Sequence, residues 1–487
     1  MPIGRLVRQW LLPIALGVAA LVAWQAANRA DFEQATNQPE DHQMELGTPM
    51  LSARRIPLTL RAPVSDALIA DPINQVAAAN PTPQFCLSVR NGDRLLGDTT
   101  ETPGGLIPAS NQKVLTTHAA LGILGTDFRF STRVTATAAI ADGVIDGDIY
   151  LIGDGDPFLY TDDWLPQYQE SSDRSHTRLE DLADLVAGTG VTQITGSVLG
   201  DESLYDLERF GPWDSRLIDQ KQSGPLSALS VNEGFVAWPA VFPNTPRTRS
   251  ETDQPAVHAA SVFIQLLGER GVSVAGAANT GINPPGSLEL ATVQSPPLAQ
   301  TVAHINQFSS NIGAELLLKR LGFARTGQGT TAAGAQVVTD FLAEQGITMT
   351  DVQTFDGSGL AETNRMTCTA LGEVLASQGP DTPLGQSLAV SGQQGSLLNR
   401  FAETVADGQV RAKTGTLGMV LALSGYVEST VPTDPDAFVT FSYIVNDEQI
   451  LGEGVDVAIQ TPLVTLLTQY PAGPNLSTLS PLPAVPS

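Results

Sequence analysis

The sequence is poor in cysteine, in cationic charge and above all in lysine. Two cysteines, Cys86 and Cys368, cannot build a disulfide framework or a four-ligand zinc site. Against 51 Asp and Glu stand 26 Lys and Arg, a formal net charge of −25. A protein whose main partner is nucleic acid needs cations to displace phosphate counterions, so that class is excluded. The chain has no GxxxxGK[ST] loop, no GxSxG elbow and no HExxH pair. The signatures of phosphate-loop nucleotide binding, Ser-His-Asp hydrolysis and zinc hydrolysis are therefore missing. What is present is apolar content: 487 residues, 42% hydrophobic and 16% charged. That suits an acidic multi-domain enzyme of roughly two to four domains, not a long disordered chain.

Both ends differ from the middle. Arg5 and Arg8 precede an apolar stretch from Trp10 to Trp24, the pattern of a secretory n-region and h-region. No clean small-x-small cleavage site follows, so residues 1–30 read as either a cleaved signal peptide or an uncleaved membrane anchor. Both readings export the remainder, to the periplasm or the outer face of the cytoplasmic membrane. Residues 31–59 read as a flexible spacer. Residues 471–487, with five prolines, read as a disordered tail.

Between them, periodicity alternates between 2 and 3.6. Phe85 to Arg90 is strand-like, and Ser110 opens a helix carrying Val114, Leu115, Leu121 and Leu124. Alternation from Phe130 to Leu151 predicts a hairpin or meander; Leu179 to Val186 predicts an amphipathic helix ending near Gly188. Val191 to Leu199 reads as a strand and Ala256 to Leu267 as a helix, so 131–290 is a mixed α and β insertion with its own core. Helical patterns return at Val302 to Leu321 and Thr331 to Gln345. Strands follow at Val410 to Lys413, Leu421 to Val427 and Phe438 to Val445.

The four lysines are Lys113, Lys221, Lys319 and Lys413, and that scarcity sharpens the search for chemistry. Ser110-x-x-Lys113 is weak alone, and so is Ser309-Ser310-Asn311; Lys413-Thr414-Gly415 is rarer. In this order they are specific. Residues three apart share a helix face, so Lys113 reaches the Ser110 hydroxyl. A serine hydroxyl is a poor nucleophile until a base takes its proton, and lysine is that base only when desolvation or a neighbouring cation lowers its pKa. Lys413 is the neighbouring cation the sequence offers. Ser309 is then a candidate proton relay, Asn311 an amide that orients substrate, and Thr414 and Thr416 hydroxyl donors for a carboxylate. Helix capping is the plain alternative for Ser110, Ser309 and Asn311, and an edge-strand lysine for Lys413.

These three motifs resemble those of serine penicillin-binding proteins and β-lactamases. Pro108 to Thr117, Gly153-Asp154-Gly155-Asp156-Pro157, Ser227 to Asn232, Asp356-Gly357-Ser358-Gly359-Leu360 and Ala412 to Leu417 narrow the likeness. They look like the D-alanyl-D-alanine carboxypeptidase/endopeptidase family, the class C low-molecular-mass penicillin-binding proteins, over about residues 70–468. The resemblance implies an α+β fold: a transpeptidase/β-lactamase-like domain with an antiparallel sheet, formed by 60–130 and 291–470, and interrupted by an insertion of two small domains at 131–290. The 199-residue gap between Ser110 and Ser309 agrees with that place for the insertion.

Further implications follow from the resemblance. Ser110 is acylated with Lys113 as base, Ser309 relays protons to the leaving amine, and Asn311 holds the peptide carbonyl. Lys413, Thr414, Gly415 and Thr416 form the carboxylate end of the site, with the Ser110 and Thr416 N–H groups as oxyanion hole. Asp201, in Asp201-Glu202-Ser203-Leu204-Tyr205, resembles the aspartate that reads the substrate's diamino acid, with a solvated strand-end aspartate as its alternative. The expected substrate is a peptidoglycan stem peptide and the expected covalent inhibitors are β-lactams, with neither cofactor nor metal. The alternatives are a β-lactamase or an inactive wall-binding protein. Among other residues, His118 reads as packed or exposed rather than catalytic, and Asp154 and Asp156 as turn residues. Cys86 reads as a buried small hydrophobe, with pairing to Cys368 left open.

Overall fold

In the central strands of the main sheet the side chains alternate between two cores, which explains why their sequences are almost wholly apolar. The computed structural model describes residues 20–21, 58–80, 82–99, 102–168, 170, 173–239, 249–430, 438–447 and 455–471. The expected spacer, the Pro-rich tail beyond Pro471 and the N-terminal segment except Ala20 and Leu21 lie outside them. Among the described residues no helix is long and apolar enough to cross a membrane.

The main sheet uses β1 (Phe85–Asn91), β2 (Arg94–Asp98), β3 (Ala389–Val390), β4 (Val410–Leu417), β5 (Val420–Glu428) and β6 (Phe438–Asn446). Their order is β3-β4-β5-β6-β1-β2, with antiparallel pairing throughout. Leu421, Leu423 and Val427 of β5 and Val439, Phe441 and Tyr443 of β6 face one core. Helices α1 (Leu58–Ala78) and α7 (Val455–Leu467) close that core with Ile69, Ile73, Leu463 and Val464. Ala422, Tyr426 and Ile444 face the opposite core. There they meet α2 (Gln112–Leu124), α3 (Leu298–Gln307), α4 (Asn311–Thr326), α5 (Thr331–Glu344) and α6 (Cys368–Gln378). Each fully buried Leu, Ile or Val contributes roughly 1.5–3 kcal/mol, so both faces stabilise the sheet.

The insertion has its own core, drawn from residues between Val134 and Ala291. Its five-stranded mixed sheet runs Ala278–Thr280, Val198–Asp201, Ile149–Ile152, Ser131–Ala136, Leu288–Gln294, and helices Leu179–Gly188 and Pro255–Glu269 contribute to the same core. The single strand expected at Val191 to Leu199 is two: Gln193–Ile194 joins a separate three-stranded parallel sheet, and Val198–Asp201 joins the larger one. The helix expected from Val302 to Leu321 is also two, broken at Ser309, where φ is +56°.

Cys86 is buried as expected, and the pairing that the sequence left open is made. Cys86 of β1 and Cys368, the first residue of α6, form a disulfide with S–S 2.02 Å, both fully buried. Alternation on β1 turns Cys86 toward α6, a placement that sequence spacing of 282 residues could not reveal.

Candidate active site

Two breaks in helical structure and one strand deliver the three motifs to one place. Ala109–Asn111 is a 3₁₀ turn ahead of α2, so Ser110 lies on the turn and Lys113 in the first turn of the helix proper. The pair Ser309 and Asn311 flanks the start of α4, where the Ser310 hydroxyl caps the helix by accepting the N–H of Gly313 at 3.1 Å. The cap is thus Ser310, and Ser309 and Asn311 are free to face the motif lysines. A left-handed φ at a non-glycine residue costs about 1–3 kcal/mol, which Ser309 carries at the head of this helix. Lys413 to Thr416 lie inside β4, which continues to Leu417 because pairing with β5 continues to Leu417–Val420. The two-residue β3 pairs only with Ala412 and Arg411, leaving the Lys413–Leu417 stretch uncovered by that strand.

Two glycines permit the convergence. A Cβ on Gly415 would stand 2.8 Å from Asn111 Nδ2 and 3.0 Å from the carbonyl oxygen of Pro108, so β4 can lie against the turn bearing Ser110 only without a side chain there. Gly359, with φ +84°, meets the carbonyl of Ala109 in the same way from the other side.

The Lys113 Nζ is fully buried and makes three contacts: Ser110 Oγ at 2.9 Å, Asn311 Oδ1 at 2.7 Å and the Ser358 carbonyl oxygen at 2.7 Å. The Asn311 amide is oriented by its Nδ2, which donates to the carbonyl of Gln222 at 2.7 Å. Burial draws Lys113 down from the ordinary lysine value to about 7, against the opposing charges of Asp356 and Glu315. Two of the three groups around Nζ are acceptors only. A neutral amine gives its two N–H groups to them and turns its lone pair to the third, the hydroxyl of Ser110. Geometry therefore sets the direction of proton transfer from serine to lysine.

Lys413 is also fully buried; its Nζ donates to Ser309 Oγ at 2.9 Å and to the Thr414 carbonyl at 2.7 Å. Burial and then the charge of Lys113 hold it well below the lysine range. Of the two causes that the sequence left open for Lys113, desolvation and a neighbouring cation, desolvation dominates. Thr414 Oγ1 donates to Ser396 Oγ at 2.9 Å, and Thr416 is exposed on the strand.

The cleft over these groups has a volume of about 410 Å³, and its lining includes Ser110, Ser309, Asn311, Thr414 and Thr416. The insertion supplies Arg216, Leu217, Gln220 and Gln222, and Arg216 forms an ion pair with Glu362. Asp201 is not in this lining. It ends the strand Val198–Asp201, accepts the N–H groups of Ser203 at 2.9 Å and Asn283 at 2.7 Å, and lines a different cavity of about 640 Å³.

His118 is packed edge-on against Phe341, ring centroids 5.3 Å apart, and burial lowers it to about 4. Asp154 and Asp156 do more than turn the chain: Asp154 pairs with Arg320 at 3.1 Å and buried Asp156 accepts from Thr177 at 2.5 Å. Reasoning from sequence missed Ser358, Glu315, Gln222 and Arg216. Only Ser358 had a signal, in the segment Asp356 to Leu360.

Known proteins resemble this chain over most of its length. A family model described as the D-Ala-D-Ala carboxypeptidase 3 (S13) family matches residues 88–250 and 239–470. The chain is 28% identical over 481 residues to a D-alanyl-D-alanine carboxypeptidase of an Actinomadura species, covering 83% of this chain and 84% of that one. It is 31% identical over 371 residues to a carboxypeptidase of Mycobacterium tuberculosis, covering 74% and 75%. Among solved structures, penicillin binding protein 4 of Haemophilus influenzae superposes with a TM-score of 0.64 at 20% identity, over 81% of this chain and 97% of that one. At that identity the likeness is one of fold.

Proposed function

The chain belongs to the D-Ala-D-Ala carboxypeptidase 3 (S13) family, and on that premise we propose how its own residues perform the reaction. It is a serine D-Ala-D-Ala carboxypeptidase, with D,D-endopeptidase action on cross-links as the same chemistry on a longer leaving group. Lys113 takes the Ser110 proton, and Ser110 Oγ attacks the carbonyl of the penultimate D-Ala. The tetrahedral oxyanion lies between the N–H groups of Ser110 and Thr416. As it collapses, the terminal D-Ala amine leaves with a proton relayed through Ser309, which Lys413 Nζ contacts at 2.9 Å. Thr414 and Thr416 take the terminal carboxylate, and water then hydrolyses the Ser110 ester. Asp201 has no role in this reading.

One observation carries the reading: a fully buried lysine whose two acceptor-only neighbours leave its lone pair for Ser110. A β-lactam presents an amide of the same kind, so penicillin acylates Ser110. Incubation with labelled penicillin and mass mapping tests this; label on another residue contradicts the site, and Ser110→Ala should take up none.

The site of action is proposed to be outside the cytoplasmic membrane, on peptidoglycan stem peptides. A buried disulfide between Cys86 and Cys368 supports an oxidising compartment, and the apolar segment from Trp10 to Trp24 supplies an export signal or anchor. Fractionation of the producing cells, with the mass of the mature N-terminus, decides between cleavage and anchoring.

A further inference from the structure

Behind the reacting groups lies a carboxyl group that the mechanism above does not use. Glu315 follows Asn311 by four residues on α4, so the two side chains leave the same face of the helix. It is fully buried. Its Oε1 accepts the N–H groups of Gly357 at 3.1 Å and Ser358 at 2.7 Å. The carbonyl of that same Ser358 accepts from Lys113 Nζ at 2.7 Å. Thus α4 holds the base by two routes: directly through Asn311, and through Glu315 and one peptide group.

Its neighbour Asp356 is bonded differently. Asp356 accepts from the N–H groups of Gly359 at 2.8 Å and Ala361 at 2.7 Å, from Asn364 Nδ2 at 2.7 Å and from Trp213 Nε1 at 3.0 Å. Both of its oxygens are thus met by donors. Glu315 Oε2, in contrast, has no well-formed hydrogen bond among the described residues; the Ser358 hydroxyl beside this carboxyl donates to Asp356 at 3.4 Å. A second buried anion with an unmet oxygen is costly, whereas a neutral acid leaves less unsatisfied. The groups facing Glu315 are Lys113 from α2 and Asp356 from the loop before α6. Lys413 of β4 faces Lys113, and on α4 itself Lys319 is paired with Asp206 and Arg320 with Asp154. Burial and the charge of Asp356 both raise Glu315, to about 8.

We propose that Glu315 is a positioning residue for acylation: it holds the 357–358 backbone so that the Ser358 carbonyl aims Lys113 at Ser110, and it does so as a neutral acid, so that no anion stands where it would keep a proton on the amine. This rests on Lys113 being the base for Ser110.

The test is the acylation of Ser110 by a labelled penicillin, resolved into binding and acylation constants from about pH 5 to 9, for the parent, Glu315→Gln and Glu315→Asp. The Gln side chain accepts the same two N–H groups and cannot ionise. Its plateau should lie within about threefold of the parent and its acid limb at the parental pH, because the parent already holds this carboxyl without charge while Lys113 titrates. The Asp side chain keeps the acid group but is one methylene short of the 357–358 backbone. Its acylation constant should fall at least about tenfold with binding unchanged. A Gln limb displaced to lower pH overturns the neutral acid, because an anion would then have been holding the proton on Lys113, and a parental plateau in the Asp variant overturns the positioning role. Should the Gln variant fail to melt cooperatively, the Asp variant decides alone. Absence of label in the parent would sink the acylation reading itself, whereas normal parental labelling with a parental acylation constant in the Asp variant would sink only the role of Glu315.

Discussion

The sharpest prediction concerns pH. Acylation of Ser110 requires Lys113 as a free amine, and burial brings that amine down from 10.5 to about 7. Below that value each pH unit leaves about tenfold less free amine, so at about pH 5 the acylation constant should be on the order of 1% of its plateau. Above about pH 8 it should be flat. The same shift affects stability, with its own sign: the folded state binds this proton more weakly than the unfolded chain does. Lys113 therefore costs nothing when both states are deprotonated, above the ordinary lysine value. Its cost grows as pH falls from about 10.5 to about 7 and is then constant, on the order of 5 kcal/mol. Stopped-flow acylation with a chromogenic or fluorescent penicillin measures the first effect, and urea unfolding of Lys113→Met against the parent measures the second. A rate still climbing about tenfold per unit between about pH 8 and 9.5 would mean an ordinary, solvated lysine and would refute the desolvation argument. A rate flat down to about pH 5 would remove Lys113 from the role of base.

Other outcomes follow from single features. Replacing both Cys86 and Cys368 with serine frees a loop spanned by a separation of 282 residues and should destabilise the fold by up to about 5–6 kcal/mol, read as a lowered urea midpoint; an unchanged midpoint would mean that the bridge adds nothing. Gly415→Ala puts a methyl group into the contact between β4 and the Pro108–Asn111 turn, so acylation should fall by at least about tenfold while the cooperative melt persists. Parental acylation in that variant would show that the approach is not needed. Ser309→Ala removes the relay but not the base: peptide turnover should drop by about 100-fold, and acylation by penicillin by less, because the β-lactam's leaving amine stays tethered. Equal losses for both substrates would argue against a relay.

Most of the reactive set was legible in the chain itself. The spacing Ser110-x-x-Lys113 works because three residues make nearly one helical turn, a local fact that holds in any fold. Strands β5 and β6 were legible because β-branched and aromatic runs have few other stable arrangements, and the apolar helix after Gln254 because its period is 3.6. The break at Ser309 was not legible. A continuous apolar period ran across it, and only the need to bring Ser309 and Asn311 to two different lysines forces the left-handed turn. Nor was the split of Val191 to Leu199, since two short strands in separate sheets share the alternation of one long strand.

Local sequence therefore determined which groups could react and which segments could be helix or strand, because those properties depend on neighbours along the chain. Tertiary structure alone decided the rest. It paired Cys86 with Cys368, brought Gln222 and Arg216 of the insertion to the cleft, left Asp201 outside it, and buried Glu315 and Asp356 beneath Lys113. The physical reason is that a lysine's proton affinity is set by water and charge within a few ångströms in space, and here the groups that set it come from positions about 200 to 245 residues away.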